Sequence, residues 1–148
     1  MDYEILVNEF DKIVKILKQG DTHVALFMLN PVYPDISIWT LVVSTETYDN
    51  LTKKNAIKHL VNLINKNLNK IFLRKIINVT ILKTSDPFVK EINWLFSVTD
   101  SVKFIESSVI AGIHLERAIL FESVRYATPI KTTDKNLPQT QNLTSASI

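Results

Sequence analysis

The sequence predicts an α+β fold: a single domain on one mixed sheet of about five or six strands, with two amphipathic helices packed against it. Three observations carry this. Segments 3–19 and 53–72 repeat apolar residues at three- and four-residue spacing. Between and after them lie short runs that are apolar throughout or alternate apolar with polar. A strand–helix–strand succession requires a parallel pairing, whereas a two-residue turn at Ala111-Gly112 requires an antiparallel one, so the sheet must be mixed. The chain has 148 residues, the size of one domain. At that length about 68–70% of the unfolded surface can be hidden without a metal or disulfide.

The predicted order is α-β-β-α-β-α-β-β-β. In the first helix Leu6, Phe10, Ile13 and Leu17 share a face, acids lie early and lysines late, and Gly20 suits a C-terminal cap. Two strands follow, Thr22–Leu29 and Ile36–Ser44. Both are apolar at nearly every position, so they should be buried on both faces. The connector from Asn30 to Asp35 holds Pro31 and Pro34, which should end the ladder.

Thr52 suits the N-cap of the second helix. Ile57, Leu60, Val61, Ile64, Leu68 and Ile71 fall within an arc of about 100°. Lysines and asparagines fill the opposite side. Residues 75–83 alternate as a strand, with Ile77, Val79 and Ile81 on one face. Asp86-Pro87 starts a short helix as N-cap and first helical residue, and Trp94–Val98 reads as a further strand. Val102–Ile110 and Ile113–Glu122 form a hairpin about Ala111-Gly112. Residues 1–126 therefore read as the globular domain. Residues 127–148, rich in Thr, Ser, Asn, Gln and Lys, read as a disordered polar tail.

Composition excludes several chemistries. With 0 cysteines there is no disulfide scaffold, Cys-ligated zinc, iron–sulfur cluster or catalytic thiol. The 2 glycines, Gly20 and Gly112, cannot build a phosphate-cradling loop. No small-molecule cofactor and no metal are expected. The start Met1-Asp2-Tyr3-Glu4 lacks the basic, then apolar, pattern of a signal peptide. The longest wholly apolar run, Val24–Leu29, is far short of a membrane span. A cytoplasmic protein with no membrane partner is expected, and the glycosylation sequons at Asn50, Asn78 and Asn142 read as chance. The abundance of Ile, Lys and Asn, with AT-rich codons, points to a bacterium or its phage.

Three groups of residues invite a functional reading. The hairpin register sets Glu106 opposite Arg117 on an otherwise apolar face, where an ionised carboxylate needs a counter-charge. That pairing fits a buried structural ion pair, or an acid tuned by burial. On the other face His114 and Glu116 lie two residues apart, with Ser107 opposite Glu116. Together with Asp86 they could supply an acid–base or metal site.

The third group is electrostatic. Residues 50–85 hold Lys53, Lys54, Lys58, Lys66, Lys70, Arg74, Lys75 and Lys83 and no acid, which leaves −6 for the rest of a chain of net charge +2. On the polar helix face Lys54, Lys58, His59, Lys66 and Lys70 form the candidate binding surface.

The reading is a non-catalytic protein-interaction module or accessory subunit, with a protein partner or self-association. One alternative is a nucleic-acid-binding accessory protein using the basic 53–83 segment. Against this, seven of the eight cations are Lys and no aromatic stands among the helix lysines to stack on a base. The other alternative is a small metal-dependent hydrolase or nuclease using Glu106, His114, Glu116 or Asp86.

Overall fold

The computed structural model describes residues 3–20, 23–32 and 35–125; the predicted tail at 127–148 lies outside the described residues. Five strands form one mixed sheet, with helices on both faces. The elements run α1 (Tyr3–Gly20), β1 (Val24–Val32), β2 (Asp35–Thr45), α2 (Glu46–Asp49), α3 (Lys53–Asn67), α4 (Lys70–Leu73), β3 (Ile76–Ile81), α5 (Pro87–Leu95), β4 (Lys103–Ile110) and β5 (Ile113–Ser123). The strand order is β3-β2-β1-β5-β4. Only β2 and β3 pair in parallel, joined by the crossover through α3; the other pairs are antiparallel.

The middle strand explains the layers. Val24, Phe27 and Leu29 of β1 bury against Leu6, Phe10 and Ile13 of α1 and Leu60 and Ile64 of α3. Ala25, Leu26 and Met28 bury on the opposite side against Phe88, Val89 and Ile92 of α5. An unbroken apolar run is what a strand covered on both faces requires. Asn93 of α5 fastens that helix by donating from Nδ2 to the Ala25 carbonyl and to Ser123 Oγ, each at 2.9 Å.

The helix starts obey the capping chemistry. Thr52 Oγ1 accepts from the Asn55 amide, and Asp86 Oδ1 accepts from the Phe88 amide with Pro87 in the first turn. The hairpin turn holds Ala111 and Gly112 at φ 49° and 79°, the left-handed pair that a tight two-residue connection needs.

Four details differ from the sequence expectation. Residues 94–98 are not a strand: α5 runs on to Leu95, and only Val98 makes an isolated bridge, to Ser123. The second predicted helix breaks at Leu68, whose backbone is extended, and Asn69 caps the separate turn α4. The break rotates Ile71 out to 62% exposure and turns Phe72 and Leu73 toward the core. Ile77 is exposed because the β2–β3 register slips there, Trp39 pairing with Ile76 and Thr40 with Asn78. Pro31 does not end the ladder: β1 continues through it opposite Trp39, and the register shifts at the next step.

Leu60 and Ile64 are buried on α3 and Lys58 is exposed on its other side. Leu60→Asp or Ile64→Asp should cost about 4 kcal/mol or more, by leaving an unpaired charge in the core, and Lys58→Asp less than about 1 kcal/mol. Chemical denaturation of the three variants checks this; equal tolerance would misplace the helix faces.

Candidate functional site

The basic surface comes from an acid-free stretch of the chain wound into α3 and α4. Burying Ala56, Leu60, Ile64 and Leu68 sends Lys54, Lys58, Lys66 and Lys70 into solvent. None of the eight cations of residues 50–85 forms an ion pair among the described residues. Lys83 instead donates to the Asp49 carbonyl at 2.6 Å. His59 is exposed, and its Nδ1 lies 2.8 Å from Tyr48 Oη, with the two rings edge to face at 5.5 Å. That contact ties α3 to α2 and engages one ring nitrogen of a residue that otherwise stands on the exposed face with the lysines.

The first helix handles its cations differently. Lys12 pairs with Glu9 at 3.0 Å and Lys15 with Asp11 at 2.8 Å. Lys18 reaches Thr99, Asp100 and Glu122 at 3.1, 3.2 and 3.3 Å. Lys90, Lys103, Arg117 and Arg125 also make no ion pair among the described residues, so what sets α3 and α4 apart is the clustering of their cations in a stretch without acids.

The hairpin register is as expected, with Phe104 opposite Ile119, Glu106 opposite Arg117, Ser108 opposite Leu115 and Ile110 opposite Ile113. Its faces are not. Ser107 sits at φ 48°, a left-handed conformation that interrupts the alternation of β4. Ile110 and Leu115 consequently join Ile105, Ala118 and Leu120 on the α5 side, whereas Ile119 and Phe121 face α1. Glu106 and Arg117 fall where the faces exchange. Both are exposed, and no ion pair or hydrogen bond joins them among the described residues. The expected buried ion pair is thus replaced by two free charges at the rim of a cavity of about 210 Å³ that Tyr3, Trp39 and Phe104 also line.

The polar cluster on the same hairpin does assemble. Ser107 Oγ lies 3.4 Å and Glu116 Oε1 3.9 Å from His114 Nε2. Both approach the same ring nitrogen, so the imidazole cannot pass a proton from one to the other as it does in a serine–histidine–acid relay. His114 and Glu116 are each 54% exposed, and no group of three or more His, Cys, Asp or Glu suited to a metal occurs among the described residues. Asp86 is occupied as the α5 N-cap, accepting from the Phe88 amide at 2.8 Å.

Two features escape the sequence reading. Trp39 is buried, and its Nε1–H has no acceptor among the described residues; a buried unpaired donor costs about 1–3 kcal/mol. Glu122 is the other. A register shift in the β1–β5 pairing, where Phe27 meets Glu122 and Met28 meets Leu120, turns both Phe121 and Glu122 toward α1. Burial pushes the Glu122 carboxyl above its ordinary pKa, while Lys18 and a hydrogen bond from Thr99 pull it back without cancelling the rise. Nothing local marks Glu122, because its partner lies 104 positions away in sequence.

No helix of the described residues is long and apolar enough to cross a membrane. The chain matches no protein-family model, no curated protein and no solved structure.

A carboxyl whose folded pKa is raised contributes most below its unfolded pKa and loses that contribution as pH rises through the folded value. Glu122→Gln removes this loss. The stability of the variant relative to the parent should therefore climb as pH rises from about 4 to 7, the range above the ordinary glutamate value. Denaturation across that range checks it; a relative stability that falls with pH would mean that pairing with Lys18 outweighs burial.

Proposed function

We propose that the chain is a non-catalytic protein-interaction module, an accessory subunit that docks an acidic protein partner through the outer face of α3 and α4. One observation supports this above the rest. Lys54, Lys58, Lys66 and Lys70 stand exposed and without ion pairs among the described residues, while Lys12, Lys15 and Lys18 of α1 are all paired with acids. Unneutralised like charges on one face repel one another and are relieved by an anionic surface. Ile71, 62% exposed beside Lys70, adds an apolar contact to that face. An aliphatic side chain suits a protein surface better than a base, on which it has no ring to stack. The nucleic-acid reading uses the same lysines and is the outcome to be separated from this one.

The test compares the parent with the Lys54/Lys58/Lys66/Lys70→Glu variant as immobilised baits. The variant should stay folded, since all four side chains are exposed, and should lose an acidic protein that the parent retains and that salt releases. Ile71→Ala should weaken the same capture about tenfold or less. Identical captures by parent and variant overturn the proposal. Binding of DNA or RNA with a steep salt dependence, abolished in the quadruple variant, replaces the protein partner with a nucleic acid.

A further inference from the structure

The cavity beside α1 has the makings of a small-molecule site. It encloses about 210 Å³, less than the roughly 300–1,000 Å³ that drug-sized ligands occupy. Three aromatic rings line it: Tyr3 lies 6.1 Å from Trp39, edge to face, and 6.1 Å from Phe104. Glu106 and Arg117, of opposite sign and side by side across the β4–β5 ladder, complete it. Each is free of ion pairs and hydrogen bonds among the described residues. The buried Trp39 Nε1–H is an independent sign of an incomplete environment, since it too has no acceptor among those residues.

The structure carries two unlike charges that do not neutralise each other beside an apolar wall of amino-acid size. From this we infer that the cavity binds a zwitterionic small molecule with an apolar body: an α-amino acid with a leucine- or phenylalanine-sized side chain. Arg117 presents a planar fork to the ligand carboxylate. Glu106 accepts from the ammonium group, which the ring faces also favour. The side chain displaces water from between Tyr3, Trp39 and Phe104. A ligand with only one charge leaves Glu106 or Arg117 uncompensated and binds more weakly.

Titration calorimetry on the full chain with L-phenylalanine, phenylacetate and phenethylamine tests the charge requirement without any substitution. L-phenylalanine should bind at least about tenfold more tightly than either singly charged analogue, a difference of about 1.4 kcal/mol. The 2 tryptophans allow a local readout: in Trp94→Phe, which removes the exposed indole, Trp39 is the sole tryptophan, and its emission should change saturably with L-phenylalanine. Arg117→Ala should weaken L-phenylalanine about tenfold or more without weakening phenethylamine, and Glu106→Gln should not weaken phenylacetate. Absence of saturable heat and emission change with both L-phenylalanine and L-leucine overturns the inference, and so does equal affinity for the three probes.

Discussion

The structure depends on the burial of β1 from both sides. A strand in the centre of a five-stranded sheet, with Val24, Phe27 and Leu29 on one face and Ala25, Leu26 and Met28 on the other, cannot be stable until both faces are covered. That requirement fixes α1 and α3 on one side and α5 on the other. It also leaves β3 and β4 as the edges. The single helix α5 does not cover the whole of its face. Over the uncovered part of β2 and β3 the outward positions are Thr40 and Thr80, which line a shallow cavity of about 300 Å³ together with Asn30 and Asp86.

Charge does two jobs on the α1–α3 face. On α1 it holds elements together. Glu9 accepts from the Asn69 amide at 3.1 Å and pairs with Lys12, and these two contacts hold its carboxyl below the ordinary pKa. Burial works against the Lys18 ammonium, but its bonds to Asp100 and Glu122 outweigh that and raise its pKa. These contacts tie α1 to the start of α4 and to β5. Glu9 and Glu122 have opposite pH signs: the contribution of Glu9 is present above its unfolded pKa and lost in acid, whereas Glu122 favours folding more in acid. On α3 and α4 charge holds nothing together. The lysines there make no ion pair among the described residues, so their energetic effect on the fold is repulsive and small. A feature that does not serve the fold is the one to examine for a partner.

What could be read from the sequence was what is local. The α+β class, the mixed sheet, the crossover from β2 through α3 to β3, and the hairpin register all follow from periodicity and from turn residues close in sequence. The exposed lysines of α3 follow from the same helical period. Most of the failures share a cause, a backbone irregularity that periodicity does not encode. Ser107 at φ 48° exchanges the faces of β4, so Glu106 and Arg117 leave the core. An extended Leu68 ends α3 and exposes Ile71. Residues 94 and 95 stay helical because α5 continues past the point where an apolar run suggested a strand. Glu122 needed a tertiary partner to be noticed at all.

The cavity traces to one such irregularity as well. Trp39 sits where both ladders of β2 lose regularity. Toward β1 its partner is Pro31, which offers no N–H, and the register shifts one step beyond. Toward β3 the register slips between Trp39 and Thr40, and the Trp39 amide donates to the Lys75 carbonyl at 2.7 Å. The backbone is satisfied there, but regular pairing has stopped on both sides. A large side chain occupies the resulting gap: Trp39 is 2% exposed although it stands near the end of the sheet. Its ring brings Tyr3 of α1 against it, and Tyr3 in turn meets Phe104 of β4. Rigid rings meeting at wide angles do not fill space as branched aliphatic chains do, and the remainder is the cavity that Glu106 and Arg117 border. A proline tolerated within the central strand thus leads, through the tryptophan opposite it, to an aromatic pocket bordered by two charges that make no ion pair among the described residues. The fold does not require that pocket, because β1 is already buried by the helices above and below it.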